Sequence, residues 1–205
     1  MSAVIRQYLA TAEAARQALD LGALAAAAAR IAEARACGAT VFLCGNGGSA
    51  ATASHFATDL QKSTRVGGQP PVRAIALNDN VSVLTAWAND VDYCRVFAEP
   101  LATFARPGDV LVAISASGNS PNVLEAVATA EALGLTIIGL TGFDGGALRS
   151  RSTISIHIPV HSYEIAEDIH LMVCHLITTL LKAGAASADA AADHVTDGAL
   201  SPVRS

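Results

Sequence analysis

The sequence predicts one doubly wound α/β domain: a five-stranded parallel sheet flanked by helices, with a helical segment in front of it. Three observations carry this. With 205 residues and 52% apolar content, the chain is long enough to bury a sizeable single core. After Gly38, short runs rich in β-branched residues alternate with helical patterns. Those runs are apolar throughout, as strands buried on both faces of a parallel sheet are.

In chain order, residues 4–37 are Ala-rich, with charges at Glu13, Arg16, Asp20, Arg30, Glu33 and Arg35. Leu9, Ala12, Ala15 and Leu19 recur at helical spacing, so the segment reads as one or two packing helices stopped by Gly38. Strands are expected over 40–44, 72–77, 110–114, 135–140 and 153–158. Helices are expected over 50–60, 81–88, 96–104, 122–133 and 164–181. A Gly-Pro loop at 66–71 precedes the second strand, and a turn at 142–146 follows the fourth. Residues 1–38 are thus a helical oligomerisation segment and 39–185 the domain with the chemistry. The tail 186–205, rich in Ala, Ser and Asp, is expected to be poorly ordered.

Composition excludes several functions. The charged fraction of 15% lies well below the roughly 25% of average chains, and aromatics make up only 4%, which predicts an aliphatic core and extra burial between subunits. A net charge of -5 without a basic run leaves no electrostatic footprint for direct nucleic-acid binding. Cys37, Cys44, Cys94 and Cys174 form no Cys-x-x-Cys pair and sit mostly in apolar runs, so they read as reduced core thiols of a cytoplasmic protein. Residues 1–9 carry no signal-peptide core. The apolar stretches 23–29 and 171–181 fall short of the ~20 residues of a membrane span.

Gly45-Asn46-Gly47-Gly48-Ser49 joins the first strand to the next helix. Glycines there let the backbone turn tightly and expose N–H groups at a helix N-terminus, where an anion is the natural occupant, although such turns can also bind nothing. Ser115-Ala116-Ser117-Gly-Asn-Ser120 does the same after the third strand, before a helix with Pro121 in its first turn. Ser120 alone would serve as a helix cap. Two such turns at strand ends of one sheet point to a phosphorylated ligand. A nicotinamide dinucleotide needs an acid about 20 residues past the glycines, whereas Asp79 lies 32 residues after Gly47. His55 and Asp59 stand at i, i+4, which is either a solvated pair or half of a metal site. On the last helical pattern, Asp168 and His175 lie about 20° apart and Glu167 and His175 about 80°, which predicts a buried polar cluster. Two nitrogens and two carboxylates suit zinc or a similar ion.

At these residues the sequence resembles the SIS-domain sugar isomerases, most closely the phosphoheptose isomerases. The resemblance covers residues 41–182. It rests on the glycine turn, His55-Phe-Ala, Ala86-Trp-Ala-Asn-Asp90, Pro107-Gly-Asp-Val, the serine turn, Leu140-Thr-Gly-Phe-Asp-Gly-Gly146 and Glu167-Asp-Ile-His170. It implies a homotetramer that binds a sugar phosphate through Asn46, Gly47, Gly48, Ser49, Asn80, Ser115, Ala116, Ser117, Ser120 and Glu167. It also implies one zinc per subunit on His55, Asp59, Glu167 and His175, with Asp59 as general base and His175 as acid or base partner. The implied reaction converts sedoheptulose 7-phosphate to D-glycero-D-manno-heptose 7-phosphate through an enediol. Asp59 stands where the family has Glu, Glu167 where it has Gln, and Asn80 where it has an acid, with Asp79 adjacent. These departures bear on which sugar is bound more than on the reaction, so an isomerase of a related sugar phosphate is one alternative. Another is a SIS tetramer that bridges replication-initiator molecules; those relatives lack a carboxylate near the His-Phe-Ala segment, so Asp59 favours the enzyme. A sugar-phosphate-sensing regulator would add a DNA-binding domain, and none is expected in these residues.

Overall fold

The structure, a computed structural model, describes residues 1–197, with side chains to residue 184. Two helices open the chain, α1 (Ser2–Gln17) and α2 (Leu21–Ala36). Asp20 separates them: its carboxylate accepts the N–H groups of Gly22 at 2.8 Å and Ala23 at 3.0 Å, satisfying two orphan donors of the α2 N-terminus. Helix α2 buries the stripe Leu24, Ala27, Ala28, Ile31 and Ala34, whereas α1 buries Ala15 alone.

Five strands follow, β1 (Thr40–Cys44), β2 (Arg73–Ala76), β3 (Val110–Ser115), β4 (Thr136–Thr141) and β5 (Ile154–His157). All pair in parallel, in the order β2-β1-β3-β4-β5. The helices between them are α3 (Gly48–Thr58), α4 (Val81–Asp90), α5 (Ala98–Phe104), α6 (Pro121–Ala132) and α7 (Gly146–Arg151), and α8 (Tyr163–Asp197) follows β5. Alternate strand residues feed two cores. Val41, Leu43, Val112 and Ile114 pack with α2, α3 and α8, while Phe42, Cys44, Leu111 and Ala113 pack with α5 and α6 on the other face.

Several expectations are corrected. Strand β2 is not buried throughout, because as an edge strand it exposes Arg73 and Ile75 and buries only Ala74 and Ala76; β5, the other edge, is only partly covered. The stretch after β4 is more than a turn. The chain reverses with positive φ at Phe143, Gly145 and Gly146 and then forms α7, which is too short to leave a periodic signal and buries Leu148. The helix expected to reach residue 60 leaves α-helical bonding at Thr58 and continues as a π turn, Asp59–Ser63. Cys44 and Cys174 are core thiols, and burial pushes the Cys44 thiol up to about 12, but Cys37 is exposed and Cys94 half-buried. Helix α8 runs on to Asp197, past residue 185 where the sequence places the start of the tail. Residues 198–205, and the rest of that expectation, lie outside the described residues. Among the described residues no helix is long and apolar enough to cross a membrane.

Candidate active site

The strand order places a switch point between β1 and β3. From β1 the chain leaves through α3 toward β2, and from β3 it leaves through α6 toward β4, on opposite faces of the sheet. The two helix N-termini therefore diverge above neighbouring strand ends, where open α/β sheets hold their ligands. Both predicted turns meet there. Asn46 and Ser49 from the first, and Ser115, Ala116, Ser117 and Ser120 from the second, line one cavity of about 140 Å³. Tyr163 and Glu167 of α8 close it, and among the described residues its lining includes no lysine or arginine. An anion in it would be held by hydroxyls, N–H groups and the positive ends of α3 and α6.

Local chemistry explains the shape. Gly47 precedes α3 at φ 54° and ψ −122°, a conformation that side chains disfavour. A Cβ on Gly48 would stand 2.1 Å from Oε2 of Glu167, so the glycine admits that carboxylate to the first turn of α3. Burial, and then the neighbouring Glu164 and Asp168, raise the Glu167 carboxyl above its ordinary range. Ser120 occupies the N-cap position of α6, yet its side chain makes no cap hydrogen bond and instead lies 3.0 Å from the Ser115 hydroxyl. The loop before α7 braces the serine turn: Gly142 N–H donates to the Ala116 carbonyl at 2.8 Å and Leu148 N–H to that of Gly118 at 2.9 Å. Asn80 is not brought into the cavity lining; its Oδ1 caps α4 by accepting the Val83 N–H at 3.1 Å.

A second cluster lies farther along α3. His55 Nε2 is 3.2 Å from His175 Nε2, and Asp59 Oδ2 is 3.7 Å from the first and 3.8 Å from the second. Ligands of a tetrahedral ion with bonds of about 2.0–2.1 Å stand roughly 3.3 Å apart. Two imidazoles and a carboxylate at these separations fit a divalent ion with a position left open. The π turn presents Asp59 from the end of α3, and Ser63, four residues on, donates to its other oxygen at 3.1 Å. The structure gathers three of the four expected ligands here and leaves Glu167 at the cavity.

The buried polar cluster expected on α8 is not formed. The buried stripe of that helix runs through Ala166, Ile169, His170, Val173 and Ile177, so Asp168 and His175 fall outside it. Asp168 accepts the Tyr8 hydroxyl of α1 at 2.5 Å, and His175 is half exposed. Among the described residues the fully buried histidine is His170, and neither of its ring nitrogens makes a hydrogen bond. Burial pushes its pKa down to about 4; the Thr141 backbone lies near enough to oppose this, but not in hydrogen-bond geometry.

Sequence reasoning missed Asn122, Tyr93 and Tyr163. Asn122 exchanges two amide hydrogen bonds of 2.8 Å with Asn46, and the Tyr93 hydroxyl donates to Asn46 Oδ1 at 3.1 Å. A usable signal existed for Asn122 alone, a polar side chain on a face of α6 that otherwise buries Val123, Ala126, Val127 and Ala130.

The SIS-domain family matches residues 5–142, and a second description of the same domain matches residues 98–187. The chain belongs to the SIS-domain family. The phosphoheptose isomerase of Chlorobaculum parvum is 42% identical to it over 165 residues, 80% of this chain and 79% of that protein. That of Mycobacterium tuberculosis is 48% identical over 141 residues, 69% of this chain and 71% of the other. The solved phosphoheptose isomerase GmhA from Neisseria gonorrhoeae superposes with a TM-score of 0.81 at 30% identity, covering 89% of this chain and 96% of that one. Within the family, the chain stands with the phosphoheptose isomerases, which are aldose–ketose isomerases by reaction type.

Proposed function

We propose that the enzyme interconverts sedoheptulose 7-phosphate and D-glycero-D-manno-heptose 7-phosphate through an enediol, with one zinc ion per subunit. One observation carries this reading: α3 bears Ser49 of the phosphate cradle and, six residues on, His55 of the donor triangle. That is about 9 Å along the helix axis. A sugar whose phosphate sits among the serines thereby lays its far carbons beside the triangle.

His55, Asp59 and His175 would hold the metal, which supplies Lewis-acid polarisation of the carbonyl and hydroxyl oxygens when bound. Asp59 would take a proton from C1 of the ketose and return it to C2, while His175 exchanges a proton between the oxygens on those two carbons. The serine hydroxyls and the turn N–H groups anchor the phosphate, whose binding energy holds the reacting carbons in place. Glu167, in the lining of the cradle and outside the donor triangle, would accept hydroxyls of the sugar.

The free cysteines are consistent with a cytoplasmic enzyme. The assembly we propose is a homotetramer, supported by the exposed Val4, Ile5 and Leu9 of α1. The decisive measurement is turnover of a panel of ketose phosphates, with NMR of the products. Conversion of sedoheptulose 7-phosphate to the aldose supports the proposal, and full activity of a metal-free preparation contradicts its metal-dependent part.

A further inference from the structure

Asn46 lines the phosphate cavity, but an amide can present either a donor or an acceptor to an anion, and only the donor helps. Its orientation is set by a chain of contacts that begins outside the cavity. The backbone N–H of Val123, in the first turn of α6, donates to Asn122 Oδ1 at 3.0 Å. A backbone N–H can only donate, so the oxygen of Asn122 is fixed on that side. Asn122 is 2% exposed and held in this position by the core side of α6. Its nitrogen must then donate to Asn46, and its oxygen accepts from Asn46 in return, each at 2.8 Å. Tyr93 adds a second donor to Asn46 Oδ1 at 3.1 Å. That oxygen has two lone pairs, and both are taken. The Asn46 amide nitrogen has two hydrogens, and Asn122 takes one.

We infer that Asn122 and Tyr93 are positioning residues that lock the Asn46 amide with its remaining N–H toward the cradle, so that Asn46 donates to the ligand's phosphate. This rests on the cradle's being the phosphate site. In a cavity lined without a lysine or arginine, an amide turned the wrong way would set an oxygen against the anion. The lock also crosses the sheet's switch point, since Asn46 follows β1 and Asn122 follows β3. Proper closure of the two turns and correct orientation of the donor are therefore one event.

The test is inorganic phosphate binding, measured by calorimetry on the full chain, together with the KM for sugar phosphate. Tyr93→Phe removes a hydroxyl from a half-exposed ring, changes no charge and keeps the core. It should weaken phosphate binding by about 3- to 10-fold, as expected for one hydrogen bond, at an unchanged melting temperature. KM should rise while kcat stays near the parent value. Asn122→Ala should weaken binding further, by about tenfold or more. In an Asn46→Ala background, both changes should become silent, because they act through that amide. The inference is overturned if Tyr93→Phe binds phosphate as the parent does, or if it costs as much without Asn46 as with it. If the parent itself takes up no phosphate and Ser117→Ala matches it, the cradle reading fails first and this inference falls with it.

Discussion

In the proposed reaction Asp59 would both hold a metal and move a proton, on a side chain one methylene shorter than the glutamate of the family the sequence resembles. The π turn is a means of supplying reach, since it carries the Asp59 backbone to the end of α3, where Oδ2 meets both histidines. If Asp59 is the base, Asp59→Asn keeps the shape and lowers kcat by ~10²–10⁴. Excess zinc should not restore it; recovery of the parent rate in added zinc would reduce Asp59 to a ligand. His170 makes a separate prediction. Unfolded, its imidazole takes up a proton near pH 6.5, and folded only near pH 4. Between those values the unfolded chain holds more protons, so this contribution is fully present above about pH 6.5 and is lost as pH falls toward 4. The loss is on the order of 3 kcal/mol. Urea melts at pH 7 and pH 4.5 should show a smaller acid loss in His170→Leu than in the parent, and parallel losses would contradict it.

The serine turn is held in place by the loop that precedes α7. Gly118 has φ 68°, and a Cβ on it would stand 1.9 Å from the Gly145 carbonyl oxygen; Gly38 has φ 72° with nothing within 4 Å. Both should pay the ~1–2 kcal/mol of a left-handed backbone when changed to Ala. Only Gly118→Ala must also displace a loop, so it should lose clearly more stability and weaken phosphate binding, while Gly38→Ala binds as the parent does. Equal melting temperatures for the two variants would refute the packing of these loops. Elements of this kind divide by what made them legible. Strands β1 and β3 and both turns announce themselves locally, as apolar runs that end in glycine or serine. The edge exposure of β2 follows from having one neighbour, a fact of sheet order that no run of four residues contains. The Asn46–Asn122 pair joins residues 76 apart. The exclusion of Glu167 from the histidine triangle depends on how α8 is rolled against α3, and a spacing of eight residues along one helix says nothing about the other. His55 with Asp59 was legible because both ends sit on a single helix, and His175 because it interrupts an apolar one.

At the scale of the molecule, α1 is the element least explained by its own subunit. Sixteen residues long, it buries Ala15 alone and leaves Val4, Ile5 and Leu9 exposed. A helix so placed gains little from its own core and much from a neighbour's. Light scattering should therefore report a tetramer at micromolar concentration, and substituting polar residues at Val4, Ile5 and Leu9 should shift it toward smaller species. A monomer in the parent protein would sink the proposed assembly. The strand order has a further consequence for how the chain reaches its final state. Strands β1 and β3 lie side by side, but residues 45–109, which carry α3, β2, α4 and α5, run between them. Joining strands so distant along the chain carries a loop-closure cost and comes slowly. The cradle straddles that seam, so phosphate has nothing to grip until the seam is shut. Phosphate should then leave the refolding rate unchanged and slow unfolding instead, acting as a latch on the finished sheet and not as a template for building it.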